Sequence, residues 1–163
     1  MTQTVLKSHI FTRLNLIFKT YIWLGIFFSF ICHPAFAQDT VTINDDIATK
    51  PITLSGNTSG NLKAIEVSQT ESTATGYCDG YISPQPNHLI ELESYFDSLR
   101  LEIESSADTT VLIKGNGGVW CNDDSGSANP IVEGQWREGQ YKVWVGSYQP
   151  DTSNDYQIEI TGK

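Results

Sequence analysis

Gly139-Gln140-Tyr141-Lys142-Val143-Trp144-Val145-Gly146 sets Tyr141, Val143 and Val145 in alternation with Lys142, Trp144 and Gly146. A pleated strand imposes that period of two, because successive side chains point to opposite faces. The same period recurs outward from this stretch. Leu99, Leu101 and Ile103 alternate with Arg100, Glu102 and Glu104, and Tyr156, Ile158 and Ile160 alternate with Gln157, Glu159 and Thr161. Shorter candidates lie at Ile52–Leu54, Leu62–Val67, Leu89–Glu93, Thr110–Lys114 and Ile131–Trp136. Turn signals rich in Gly, Pro, Asn and Asp separate them, among them Ser55-Gly56-Asn57, Pro84-Gln85-Pro86-Asn87, Gly115-Asn116-Gly117-Gly118 and Asp124-Ser125-Gly126. No stretch carries a helical period. About eight short strands at this spacing predict an all-β, antiparallel sandwich of jelly-roll type.

The 163 residues suit one domain. Their charge is divided unevenly. The formal net charge is −9, yet the first 37 residues hold Lys7, Arg13 and Lys19 and no acid. All 19 acids follow, against 7 basic residues, which leaves −12 on residues 38–163. Such a surface repels phosphate and excludes nucleic acid as a partner. After the early basic residues comes an apolar run, Tyr21–Ile31, and then Ala35-Phe36-Ala37. Positive segment, short apolar segment and small-x-small site together predict a signal peptide over 1–37. The apolar run is shorter than the roughly 20 residues a spanning helix needs. The signal peptide predicts export to a periplasmic or extracellular location, and since no later stretch is apolar enough to cross a membrane the mature chain is expected to be soluble. Residues 38–50 carry Asp39, Asp45 and Asp46 among few large apolar groups and read as a flexible acidic lead-in. The folded domain is expected over 51–163.

Export bears on the cysteines. Removal of 1–37 takes Cys32 and leaves Cys78 and Cys121, an even pair that reads as a disulfide in an oxidising compartment. The competing reading is a two-cysteine metal site. It lacks partners, since there is no C-x-x-C and His88 is the only histidine after residue 37.

Candidate chemistry concentrates in Val119–Gly126, VWCNDDSG. Asn122, Asp123 and Asp124 offer oxygen ligands of the kind calcium prefers. They also suit a simpler role, fixing a turn through side-chain bonds to backbone N–H groups. Trp120, Trp136, Trp144 and Tyr148 form a second group. With Val143 and Val145 facing the core, Trp144 faces away, and an outward ring beside Tyr148 suits a sugar-stacking or protein-binding platform. The alternative is that these rings cover the disulfide or the sandwich end. Catalysis has little to draw on. Any Ser-His-Asp arrangement must run through His88, and neither G-x-S-x-G nor H-E-x-x-H occurs. The pairs Glu91/Glu93 and Glu102/Glu104 share strand faces and read as solvated charges rather than a glycosidase pair.

The order of segments carries a resemblance. GYCDGYISPQPNHLIEL (76–92), SSADTTVLIKG (105–115), GGVWCNDDSG (117–126), NPIVEGQWREGQYKVWVGSY (129–148) and YQIEIT (156–161) follow one another over Pro51–Thr161. Together they resemble the bacterial pre-peptidase C-terminal domain family and its stand-alone, cystine-containing relatives. The resemblance implies a jelly-roll-like sandwich without catalytic residues, one that assists secretion, localisation or substrate binding. In some members it implies calcium or polysaccharide binding. Those members hold calcium largely through the lead-in to the first strand, which does not align here residue by residue. With a signal-like segment upstream in place of a catalytic domain, the expectation is an exported binding module that is not an enzyme. Calcium is its candidate cofactor. Its candidate partners are a polysaccharide, a peptide or a cell-envelope protein. A structural or inhibitory protein-interaction domain is the alternative, and a small hydrolase using His88 comes third.

Overall fold

The computed structural model describes residues 40–163; the signal peptide expected over 1–37 lies outside the described residues. In chain order the elements are β1 (Thr40–Ile43), a 3-10 turn (Asp45–Ala48), β2 (Ile52–Asn57), β3 (Leu62–Lys63), α1 (Ala64–Ser68), β4 (Ser72–Thr73), β5 (Gly76–Tyr77) and β6 (Tyr81–Ile82). They continue with β7 (His88–Leu92), β8 (Phe96–Ser105), β9 (Thr109–Gly115), β10 (Gly118–Asn122), β11 (Ile131–Trp136), β12 (Gly139–Ser147) and β13 (Asp155–Gly162). The fold is an all-β sandwich. One sheet runs β11-β8-β13-β2. In the other, β12 lies between β7 and β9, β1 flanks β7, β10 flanks β9, and β6 and β3 continue past the end of β7. All pairings are antiparallel except β1 with β7, which is parallel.

Alternation builds the core as expected. Leu99, Leu101 and Ile103 of β8, Tyr156, Ile158 and Ile160 of β13, and Tyr141, Val143 and Val145 of β12 are all buried between the sheets. Their neighbours Glu102, Glu104, Gln157 and Glu159 face solvent on the far side of the four-stranded sheet, where Arg100 pairs with Glu102 at 2.9 Å and Glu133 at 3.3 Å.

Among the described residues thirteen strands stand where about eight were expected; the additional ones are β1, β4, β5, β6 and β10. Residues 40–50 do not form a flexible lead-in. Thr40–Ile43 pairs with Leu89–Leu92, and Ile43 and Ile47 are buried in the main core. Asn44 caps the intervening turn, its Oδ1 accepting from Asp46 N at 3.1 Å. Two isoleucines among polar residues suffice to tie the segment down.

Leu62–Val67 is not a continuous strand either. After β3 it winds into α1, which ends where Gln69 adopts a left-handed backbone (φ 62°). Five helical residues are too few to show a period in sequence. This helix belongs to an insert, 62–82, which folds over the outer face of the seven-stranded sheet. A second core forms beneath it from Ala64, Cys78, Ile82, Leu112, Cys121 and Trp144. Gly146 marks a close approach, since a Cβ there would run into the carbonyl of Tyr81. The Cys78–Cys121 disulfide fastens the insert to β10. It closes a loop with a sequence separation of 43 residues, worth about 4 kcal/mol on the chain-entropy model.

Candidate functional site

The four aromatic residues expected to form one platform are distributed by the fold. Trp136 is buried, and its indole N–H donates to Leu99 O at 3.0 Å. Half-buried Trp120 stacks on it with centroids 5.2 Å apart and planes 18° apart, and Tyr141 closes the cluster 4.9 Å from Trp136. Trp144 does leave the main core, as the alternation requires, but it enters the second core under the insert and is 5% exposed. Trp136 and Trp144 are therefore packing residues. Only Tyr148, 51% exposed, presents its ring to solvent.

Asn122 is likewise spent inside. Its Nδ2 donates to Thr75 O at 2.6 Å, and its Oδ1 accepts from Ser125 Oγ at 3.0 Å and from Ile131 N at 3.3 Å. These bonds fasten the β10–β11 loop to the insert. Asn122 is thus a turn-fixing residue and not a free ligand, while Asp123 and Asp124 lie outward of it. Asp108 stands close to both; burial first, then the charges of Asp124 and Asp123, raises its carboxyl above the usual range. Among the described residues no group of three or more His, Cys, Asp or Glu side chains has metal-binding geometry.

His88 stands at the start of β7 and faces inward, half-buried. Its Nε2 lies 2.9 Å from the Tyr156 hydroxyl, and the rings meet edge to face at 84°. Burial lowers the His88 pKa and raises that of Tyr156. The residue before it is a joint of the fold. Asn87 Oδ1 accepts from Val145 N at 2.9 Å, and its Nδ2 donates to Asn57 O at 3.3 Å. The imidazole thus serves a structural pair in which the partner is a tyrosine rather than a serine or carboxylate. Glu102, one of the paired strand carboxylates, is held by Arg100.

The insert brings to Tyr148 residues that the sequence did not single out. Ile65 (36% exposed) and Tyr148 line a cavity of about 410 Å³ together with Lys63, Asp79, Tyr81 and Gln149. Tyr77, 64% exposed, precedes Cys78 on the same insert. A signal was present, because Tyr77 and Tyr81 flank Cys78-Asp79-Gly80 within a segment without strong alternation. Tyrosines held beside a cystine in two-residue strands are tethered to the fold without being drawn into its core.

No family model matches the chain. An uncharacterized protein of Synechococcus elongatus is 30% identical over 88 residues, which is 52% of this chain and 65% of the relative, just under two thirds of its length. Among solved structures, the pre-peptidase C-terminal domain of collagenase from Bacillus anthracis is similar at a TM-score of 0.42 and 9% identity, over 76% of this chain and 96% of that one. The periplasmic g-type lysozyme inhibitor PliG of Aeromonas hydrophila is similar at 0.42 and 11%, again over 76% and 96%. PliG of Salmonella Typhimurium is similar at 0.40 and 12%, over 77% and 99%. These likenesses are loose.

Proposed function

We propose that the chain is an exported, non-catalytic protein-binding module that reads its partner with the disulfide-tied insert. One observation carries this reading. Of four exposed large apolar side chains among the described residues, Ile65 and Tyr77 lie on the insert and Tyr148 lies against it. Exposed tyrosines supply contact area at low conformational-entropy cost and keep a hydroxyl for hydrogen bonding, which suits recognition of a protein surface. The disulfide supports export, since such links persist in oxidising compartments. His88, on which any histidine-based hydrolysis depends, is committed to Tyr156. Calcium has no part in this reading, because Asn122 spends its side chain on the fold.

A combined peptide and glycan array tests the proposal. The wild-type chain is expected to bind peptide features. A Tyr77→Ala/Tyr148→Ala variant should lose at least about tenfold in signal with its melting temperature unchanged, since exposed truncations rarely alter stability by more than about 0.5 kcal/mol. Binding confined to glycans, or peptide binding indifferent to the tyrosines, overturns it.

A further inference from the structure

Lys142 of β12 and Lys114 of β9 are directly opposed register partners on the outer face of the seven-stranded sheet. Like charges so placed destabilise a sheet. Acids are in excess among the described residues, yet none of them pairs with either lysine. Among the described residues the ion pairs are those of Arg100 with Glu102 and Glu133, so neither lysine has a carboxylate within 4.0 Å. Lys114 is also fixed in place, its Nζ donating to Val67 O at 2.8 Å at the end of α1.

The two lysines lie where the insert stops covering the sheet. There the uncovered half of the face forms a groove of about 590 Å³, lined by Lys114, Lys142 and Gln140 with Leu89, Val67 and Trp144. Trp144 bears the one buried side-chain nitrogen or oxygen that lacks a hydrogen-bond partner among the described residues, its indole N–H. Among the described residues the groove thus combines two cations without a salt-bridge partner, an amide and aliphatic walls.

We propose that this groove binds an acidic peptide segment of a protein partner, with glutamate or aspartate carboxylates received by Lys114 and Lys142. Charge complementarity supplies the attraction, and a carboxylate between the ammonium groups relieves their mutual repulsion. Leu89 and Val67 provide apolar surface for an intervening side chain, and Gln140 can both donate to and accept from a peptide backbone. The aliphatic walls favour peptide over acidic polysaccharide, because the one aromatic ring in the groove is buried and offers no open face for a sugar. The groove shares no lining residue with the cavity at Tyr148.

The test is a nuclear magnetic resonance titration of the ¹⁵N-labelled protein at low salt, following the Trp144 indole N–H resonance assigned with Trp144→Phe. The probes are a blocked hexapeptide of alternating glutamate and leucine, its glutamine–leucine counterpart, and oligogalacturonate. The glutamate peptide alone is expected to give a saturable shift. Lys142→Glu should abolish it, and Lys114→Gln should weaken binding about tenfold or more, as for loss of a charge-assisted hydrogen bond. Lys142 is exposed, so Lys142→Glu decides the matter if Lys114→Gln does not fold. Tyr77→Ala/Tyr148→Ala should leave the shift intact. Absence of the shift, equal binding of the glutamine peptide, or binding that survives Lys142→Glu overturns the proposal. So does preference for oligogalacturonate, which would assign the groove to an acidic polysaccharide, or loss of binding in the tyrosine variant alone, which would assign the contact to the patch.

Discussion

Trp144 joins a large apolar gain to a local loss. Its ring fills the core under the insert, while its indole N–H meets no acceptor. Truncating a buried tryptophan costs about 3–5 kcal/mol, and an unsatisfied buried polar group costs about 1–3 kcal/mol. Trp144→Ala is therefore expected to destabilise by about 3–5 kcal/mol and Trp144→Phe by far less, read as denaturant midpoints at constant slope. A Phe variant as unstable as Ala would mean that the ring's full size is required. His88 gives a second prediction at this scale. Burial lowers its pKa below the ordinary histidine value of 6.5, so below that pH the unfolded chain binds the proton more readily than the folded one. The stability from neutral His88 is fully present above pH 6.5 and is lost as pH falls through the folded pKa. His88→Gln, which can still hydrogen-bond Tyr156, should flatten this decline between pH 7 and 5 in thermal melts. A variant with an unchanged pH profile would rule out the imidazole as its cause. Asp108 acts in the opposite sense, since its raised carboxyl favours the folded state in acid, so the comparison must be between variant and wild type.

At the scale of elements, the disulfide holds the insert to the sheet together with hydrogen bonds that cross between them. They include the Thr75 hydroxyl to Cys121 O at 2.8 Å, Asn122 Nδ2 to Thr75 O at 2.6 Å, the Thr110 hydroxyl to Asp79 O at 2.8 Å and Lys114 Nζ to Val67 O at 2.8 Å. Cys78→Ala/Cys121→Ala should cost about 2–5 kcal/mol overall. The loss should also be local: in hydrogen exchange the amides of 62–82 should lose protection while those of β8 and β13 keep it. Uniform loss across the sandwich would make the insert part of a single cooperative unit. The insert also marks the limit of what could be read from sequence. β8, β12 and β13 were legible because one face of each meets the main core and alternation records that. The same alternation placed Trp144 on the opposite face correctly. It could not say that α1 and the cystine cover that face, because five helical residues and strands of two residues leave no period. β1 escaped for a related reason: its Thr-Val-Thr-Ile is brief, and its parallel partner β7 lies some fifty residues away. The oxygen-rich turn was legible in composition only, since side-chain direction makes Asn122 a fastener rather than a ligand.

Among the described residues the two outer faces differ in charge, with Glu91 of β7 standing opposite Gln140 on the face of the two lysines. The four-stranded sheet turns Glu102, Glu104, Glu133 and Glu159 to solvent with Arg100 among them, whereas the seven-stranded sheet carries the Lys114–Lys142 groove. Within the acidic face Glu159 of β13 stands directly opposite Glu102 of β8. Arg100 pairs with Glu102 and offsets part of this repulsion, while Glu159 has no ion pair among the described residues. On a background of −12 over residues 38–163, close like charges and the summed field both oppose compaction. Both weaken as salt shortens the screening length from about 30 Å at 0.01 M to about 10 Å at 0.1 M. Wild-type melting temperature should therefore rise with sodium chloride between these concentrations. Glu159→Lys replaces the opposed pair with an attractive one and reduces net charge by two. It should melt about 1–3 °C higher than wild type at 0.01 M, with the gain shrinking toward zero by 0.5 M. A gain that persisted at high salt would come from packing or strand propensity. A loss at low salt would show that the acidic face is held by contacts other than the Arg100 pairs, because the lysine adds a cation where only repulsion stood.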